Sequence, residues 1–274
     1  MVATRVSLGS VWDRTTDVLR GRTGIIAPIA ATAIFLPNVV SAAVTSYGTK
    51  GSVGMALLGA VVAFAVVVAT FWGTLAIIAV ATHPATTRAD AQAQASRRLP
   101  AAIGVVLALS AVLALAFLPL GVALVRTGVD FTQANAPAQL SATMSGGLAT
   151  FITLYVLAMI VLAFWLSARL VLLNPVILNE RRGLGAVRRS IELTRGLTWR
   201  LIGVLILFSI VLLVPTLAAQ AVVGVAVRLI LGETGIATAA FLGGAAGAAV
   251  TTAFSAIAAV FQAQLFVAVA GERN

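Results

Sequence analysis

Six stretches of this chain each run for more than twenty residues almost without charge, at 24–46, 53–82, 101–125, 146–173, 201–224 and 236–269. A helix crossing the hydrocarbon of a bilayer needs about 20 predominantly apolar residues, because backbone groups there must be satisfied within the segment itself. The eight carboxylates, Asp13, Asp17, Asp90, Asp130, Glu180, Glu192, Glu233 and Glu272, all fall outside these stretches. Only 9% of the residues are charged, against about 25% in soluble domains, so water is not the solvent of most of the surface. Val-rich runs such as 61–68 have a strand-like composition, but such long runs are helical, and an outer-membrane barrel needs short alternating segments instead. The fold expected is all-α: a polytopic membrane protein of six transmembrane helices, with 1–274 forming one membrane domain. The first apolar run is longer than the roughly 7–15 residues of a signal-peptide core and follows a segment holding Trp12 and two Asp, so it is read as a retained span.

Orientation follows from the basic residues, since Lys and Arg accumulate on the cytoplasmic side. With six spans, fifteen of the 18 fall on one side: Arg5, Arg14, Arg20, Arg22, Arg88, Arg97, Arg98, Arg169, Arg181, Arg182, Arg188, Arg189, Arg195, Arg200 and Arg273. Lys50, Arg126 and Arg228 make up the other three. This asymmetry places both termini and the loops at 83–100 and 174–200 in the cytoplasm, and the protein in a cell (inner) membrane. A net charge of +10 then describes a membrane face and does not imply nucleic acid as a partner. The chain has no Cys, which excludes disulfides and thiolate metal sites.

The odd spans share a proline near the external end, in Phe35-Leu36-Pro37, Phe117-Leu118-Pro119 and Leu213-Val214-Pro215. The even spans share Phe71-Trp72, Phe164-Trp165 and Phe261-Gln262 before their cytoplasmic ends at His83-Pro84, Asn174-Pro175 and Gly271-Glu272. This spacing predicts three parallel helical hairpins related by an axis along the membrane normal. Proline removes a backbone donor and kinks a helix, so three kinks at one depth are expected to splay the external ends around a central space. A close-packed bundle filled by small residues such as those of 243–247 is the rival expectation.

A cytoplasmic segment precedes each hairpin, at 7–22, 85–99 and 184–198. In the first, Leu8, Val11, Trp12, Thr15, Val18 and Leu19 share one side of a helix, with Asp13, Arg14, Asp17 and Arg20 opposite. In the third, Leu184, Val187, Ile191 and Thr194 line up, flanked by Ala186, Ser190, Leu193 and Leu197, and the helix is expected to end at Gly196. Both are expected to lie in the headgroup plane as interfacial helices. Residues 85–99 offer mostly Ala on their apolar side and make a weaker case. The basic residues Arg181, Arg182, Arg188, Arg189, Arg195 and Arg200 are the lipid-headgroup candidates, each surface cation attracting anionic lipid by about 1 kcal/mol. Setting topology and sealing the interface is their alternative role.

The run Asn174-Pro175-Val176-Ile177-Leu178-Asn179-Glu180, with Gly183, Ala186, Arg189-Ser190, Leu193-Thr194, Gly196 and Trp199-Arg200, resembles the membrane domain attached to some glycerophosphoryl diester phosphodiesterases, and its stand-alone bacterial relatives. Ser7-Leu8-Gly9 and the six-span layout are consistent with that family. The resemblance implies a membrane module. The metal-binding acids and catalytic histidines of the attached phosphodiesterase domains match nothing in this chain.

Residues that carry chemistry are scarce. His83 is the one histidine, so paired His ligands are impossible and neither a metal nor a cofactor is expected. Gly243-Gly244-Ala245-Ala246-Gly247 lacks the following Lys-Ser or Lys-Thr of a phosphate loop. The polar candidates within the spans, for a cavity or a helix interface, are Asn38, Arg169, Gln220, Gln262 and Gln264. Gln262 and Gln264 point about 200° apart, so one is expected to line an internal space and the other to bond across an interface. Arg169 lies roughly 7.5 Å inside the span end at Asn174, near enough to snorkel to the headgroups. The function expected is a non-enzymatic integral membrane module that binds lipids, anionic ones in particular, or partner proteins through a basic cytoplasmic collar. A homo-oligomer fits equally well. The alternative is a transporter or pore for a neutral or lipid-like substrate, which needs no charged pathway.

Overall fold

The computed structural model describes residues 7–48, 52–129, 139–140, 144–181 and 183–271, and all regular structure among them is helical. Helix α1 (Leu8–Ala30) leads through a π turn (Ala31–Phe35) into α2 (Leu36–Tyr47). Four long helices follow: α3 (Val53–Thr82), α4 (Arg88–Val125), α5 (Gly146–Leu170) and, after a short pair, α8 (Thr198–Leu231). The short pair is α6 (Leu173–Asn179) and α7 (Gly185–Leu193), and a 3-10 turn (Gly232–Gly235) joins α8 to α9 (Ile236–Gly271). Five stretches are long and apolar enough to cross a membrane, the last being the whole of Thr198–Gly271. That stretch is two helices folded back on each other: Gly224 meets Ala239, Gly243 meets Gln220, and Phe208 stacks edge-on against Phe254 at 5.7 Å.

Local chemistry explains most of the boundaries. Ser52 and Ser145 cap α3 and α5 by accepting from Met55 N and Leu148 N, and Thr87 with Asp90 forms a reciprocal capping box on α4. The α3 helix stops at His83 because a residue before proline is driven to extended backbone, here φ −123° and ψ 116°. Gly232, at φ 63°, ends α8 in a conformation that glycine adopts without strain.

The segments at 7–22, 85–99 and 184–198 differ from expectation. At 7–22 there is a separate helical arm, but it is marked only by a break at Arg22 (φ −127°, ψ 15°) within α1. Its Val11 and Thr15 are fully buried, and Trp12 meets Phe261 at 6.5 Å, so the apolar side docks on α9 rather than on headgroups. Residues 88–99 simply continue into α4, with Ala91 and Ala95 buried. The third helix ends at Leu193 instead of Gly196, although Gly196 does take a positive φ. Its buried face is Ala186, Ser190 and Leu193, packed on α5 and α6, while Leu184 is exposed. A protein core and a headgroup layer both accept an apolar stripe, and here the core takes it.

The three prolines are not equivalent either. Pro37 stands two residues after the π turn, as expected where a missing N–H and a clash with the carbonyl four residues back disturb the helix. Helices α4 and α8 stay α-helical through Pro119 and Pro215.

Helix α9 is the hub, touching α1, α2, α3, α6 and α8. The buried core sits at one end of the bundle, built from Leu75–Ala81 of α3, α6, Leu193, Leu201 and Ala259–Val269 of α9. Towards the other end the helices separate. From Ser110 to Val122 nearly every residue of α4 is exposed on all sides, and the Tyr155 hydroxyl donating to the Ala116 carbonyl is its bond to α5. Large apolar side chains such as Phe64, Leu107 and Leu115 are 60–65% exposed, a surface suited to lipid and untenable in water.

Candidate functional site

The core end of the bundle is also its basic end. The start of α1, the end of α3, the start of α4, the end of α5, α6, α7 and the end of α9 meet there, through contacts such as Trp12 with Phe261 and Trp72 Nε1 donating to Ser96 Oγ at 2.9 Å. Arg14, Arg20, Arg22, Arg88, Arg97, Arg98, Arg169, Arg181, Arg188, Arg189, Arg195 and Arg200 belong to these segments, whereas Arg126 and Arg228 lie towards the far end.

The end of α3 is held by side chains from two other helices. In a regular helix the Val80 carbonyl would accept from the N–H of residue 84, but that residue is Pro84 and has none. Arg22 Nη1 takes its place, donating to Val80 O at 2.9 Å and lying within 3.3 and 3.4 Å of the His83 and Thr86 carbonyls. The Ala81 carbonyl accepts from Gln264 Nε2 at 2.8 Å, a buried bond. The break at Arg22 is thus where α1 turns so that its guanidinium can serve α3, a cation on a helix C-terminus.

Next to this junction lies a cavity of about 470 Å³ between α3, α4 and the end of α6. It is lined by His83, by Gln94, Arg97 and Arg98 at i, i+3 and i+4 of α4, by Leu178 and Asn179, and by Arg181. No carboxylate among the described residues lines it. Among the described residues none of these three arginines has a carboxylate within ion-pair distance. Arg181 has φ 56°, a left-handed backbone that only a small minority of non-glycine residues adopt. The nearby acids are engaged elsewhere. Asp90 closes the α4 capping box, and hydrogen bonds from the Thr87 hydroxyl and backbone N–H hold its carboxyl below the usual carboxylate range. Glu180 accepts from Arg189 Nε through both oxygens, at 3.0 and 3.2 Å.

The sequence-predicted residues therefore divide. Arg181 reaches the cavity. Arg188 pairs with Glu192 at 3.0 Å on the surface, and Arg189 with Glu180 in a more protected place. Arg195 and Arg200 are exposed, and Arg182 lies outside the described residues. Arg169 stacks on Trp165 at 5.5 Å and donates to the Ile191 carbonyl at 3.3 Å, tying α7 to α5; its Nε is buried without a partner. Asn38 Nδ2 donates to Ile34 O within its own helix, beside the π turn. Gln220 packs where Gly243 and Gly247 let α8 and α9 approach, bordering a cleft that also holds Arg228. Gln264 is the bridge to Ala81, while Gln262 borders a small apolar pocket with Trp12, Leu205, Phe208 and Phe261, its Oε1 buried and unpartnered. Arg97, Arg98 and His83 were absent from the sequence-derived headgroup set, because only the packing of α6 brings Arg181 to them.

Among the described residues no three His, Asp or Glu side chains are grouped to hold a metal ion. No family model, curated protein or solved structure matches this chain.

Proposed function

We propose that this chain is a non-enzymatic, six-span module of the cell membrane that binds anionic lipids through a basic end facing the cytoplasm. The observation that carries the reading is the gathering of Arg97, Arg98 and Arg181, which have no carboxylate partner among the described residues, at one end of an apolar bundle. With α8 and α9 counted as separate passes the number is six, and on that reading both termini fall on the side where arginine accumulates. The contacts of α8 with α9, and of Ala33 with Gly73 between the π turn and α3, are compatible with hairpins running in one sense. The lone His83 and the exclusion of carboxylates from the apolar stretches favour binding over catalysis.

Native mass spectrometry from nanodiscs of phosphatidylcholine with a minor fraction of phosphatidylglycerol tests the reading. The protein is expected to carry off phosphatidylglycerol in excess of its share. Retention in proportion to the bulk composition would refute it.

A further inference from the structure

The cavity between α3, α4 and α6 differs from the rest of the basic surface, and we infer that it is a discrete binding site for a phosphate group, held by Arg97, Arg98 and Arg181 with help from His83, Gln94 and Asn179. Three features separate it from arginines that only set topology.

The first is convergence. Arginines that merely mark the cytoplasmic side need only be on that side, spread outward into water. Here guanidinium groups from α4 and from the turn after α6 border one concavity, although they lie more than eighty residues apart in the chain. The second is the composition of the lining. Arg97, Arg98 and Arg181 have donors and no acceptors, and Gln94 and Asn179 add amide groups, the Asn179 Nδ2 already donating one N–H to the Pro175 carbonyl at 3.0 Å. A carboxylate would be the ordinary partner for such a set, yet Glu180, one residue from Arg181, is taken by Arg189. Arg22, outside the lining but bound to the carbonyls of Val80, His83 and Thr86, adds a fixed positive charge behind His83. The third is the backbone of Arg181. A left-handed conformation at a bulky residue is unfavourable in itself and tends to persist at ligand-binding positions. Its consequence here is that residue 181 turns back beside α4.

Phosphate is the anion that matches. It offers several acceptor oxygens, and arginine forks bind it through paired N–H groups. A volume of about 470 Å³ exceeds what one phosphate needs and lies in the range of small-molecule pockets, so the group it takes carries a substituent. The phosphate of an anionic lipid headgroup and a free phosphate ester in solution share this chemistry. Assignment to a lipid rests on the function proposed above; assignment to phosphate does not.

The experiment has two arms. In nanodiscs containing phosphatidylglycerol, retained lipid is compared by native mass spectrometry for the unaltered protein, for Arg97→Gln/Arg98→Gln/Arg181→Gln, and for Arg188→Gln/Arg195→Gln/Arg200→Gln. In detergent, binding of glycerol 3-phosphate is measured by calorimetry on the same proteins. Because arginines also govern insertion, Arg97→Lys/Arg98→Lys/Arg181→Lys preserves the charge while removing the planar forks, and is read in both arms. Cavity variants are expected to weaken binding at least about tenfold with Gln and several-fold with Lys, while the outer triple changes it little. Loss of glycerol 3-phosphate binding in the cavity variants alone, with no lipid retained by any protein, upholds the phosphate site and refutes the lipid source. Equal weakening by the cavity and outer triples overturns the discrete site, as does binding of neither ligand by the unaltered protein.

Discussion

The same substitution, two residues apart on α9, should change stability in opposite directions. Gln264 is buried, and its Nε2 donates to the Ala81 carbonyl at 2.8 Å, one of the carbonyls at the end of α3 left without a helical partner by the turn at His83-Pro84. Replacement by Leu removes the bond and leaves that carbonyl buried, for which the penalty is about 1–3 kcal/mol. The extra apolar burial of Leu offsets part of this, and side-chain hydrogen bonds in membrane proteins average about 0.6 kcal/mol, so a net loss of roughly 1–2 kcal/mol is expected for Gln264→Leu. Gln262 faces Trp12, Leu205, Phe208 and Phe261 with a buried Oε1 that has no partner. Gln262→Leu removes an unsatisfied acceptor from apolar surroundings and should be neutral or stabilising by up to about 1 kcal/mol. Reversible unfolding in mixed micelles with increasing dodecyl sulfate reads both, a change of 1–2 kcal/mol being roughly 5- to 30-fold in the folded-to-unfolded ratio. Equal destabilisation by both substitutions, or no effect of Gln264→Leu, would refute the assignment of these two amides.

Gly73→Ala should destabilise by about 1–3 kcal/mol in the same assay, since a Cβ there would lie 2.6 Å from the Ala33 Cβ and force α3 away from the π turn; an unchanged transition would show that these helices are not in contact. A double-mutant cycle on the exposed pair Arg188 and Glu192 should give a coupling below about 0.5 kcal/mol, and one on the more sheltered Arg189 and Glu180 a larger value; the reverse order would contradict the placement of α7.

The long helices were legible because the length of an apolar run is a local property, and α3 and α9 begin where the apolar runs begin. Helix α6 was not, because it lies just past the 146–173 run, in the stretch read as a cytoplasmic loop; its sign was Asn174-Pro175, a proline tolerated in the first turn of a new helix. The apolar stripes of 7–22 and 184–198 could be read from spacing, but periodicity does not say whether protein or lipid covers a stripe. Pro37, Pro119 and Pro215 look alike as letters, and only the first accompanies a departure from α-helix. The cavity had no local signature. Arg181 is 84 residues from Arg97 in the chain, and Arg22, which completes the end of α3, gives no sign in sequence that its partners are carbonyls near residue 80.

The account depends on six passes with the basic end in the cytoplasm, and cysteine accessibility tests that most directly because the natural chain has no Cys. Ala93, exposed near the start of α4, and Thr234, exposed in the 3-10 turn between α8 and α9, are each replaced by Cys and treated in intact cells with a membrane-impermeant maleimide. Thr234→Cys should label directly and Ala93→Cys only after the membrane is permeabilised. Labelling of both from outside, or protection of Thr234→Cys even after permeabilisation, would contradict a six-pass bundle with its arginines inside.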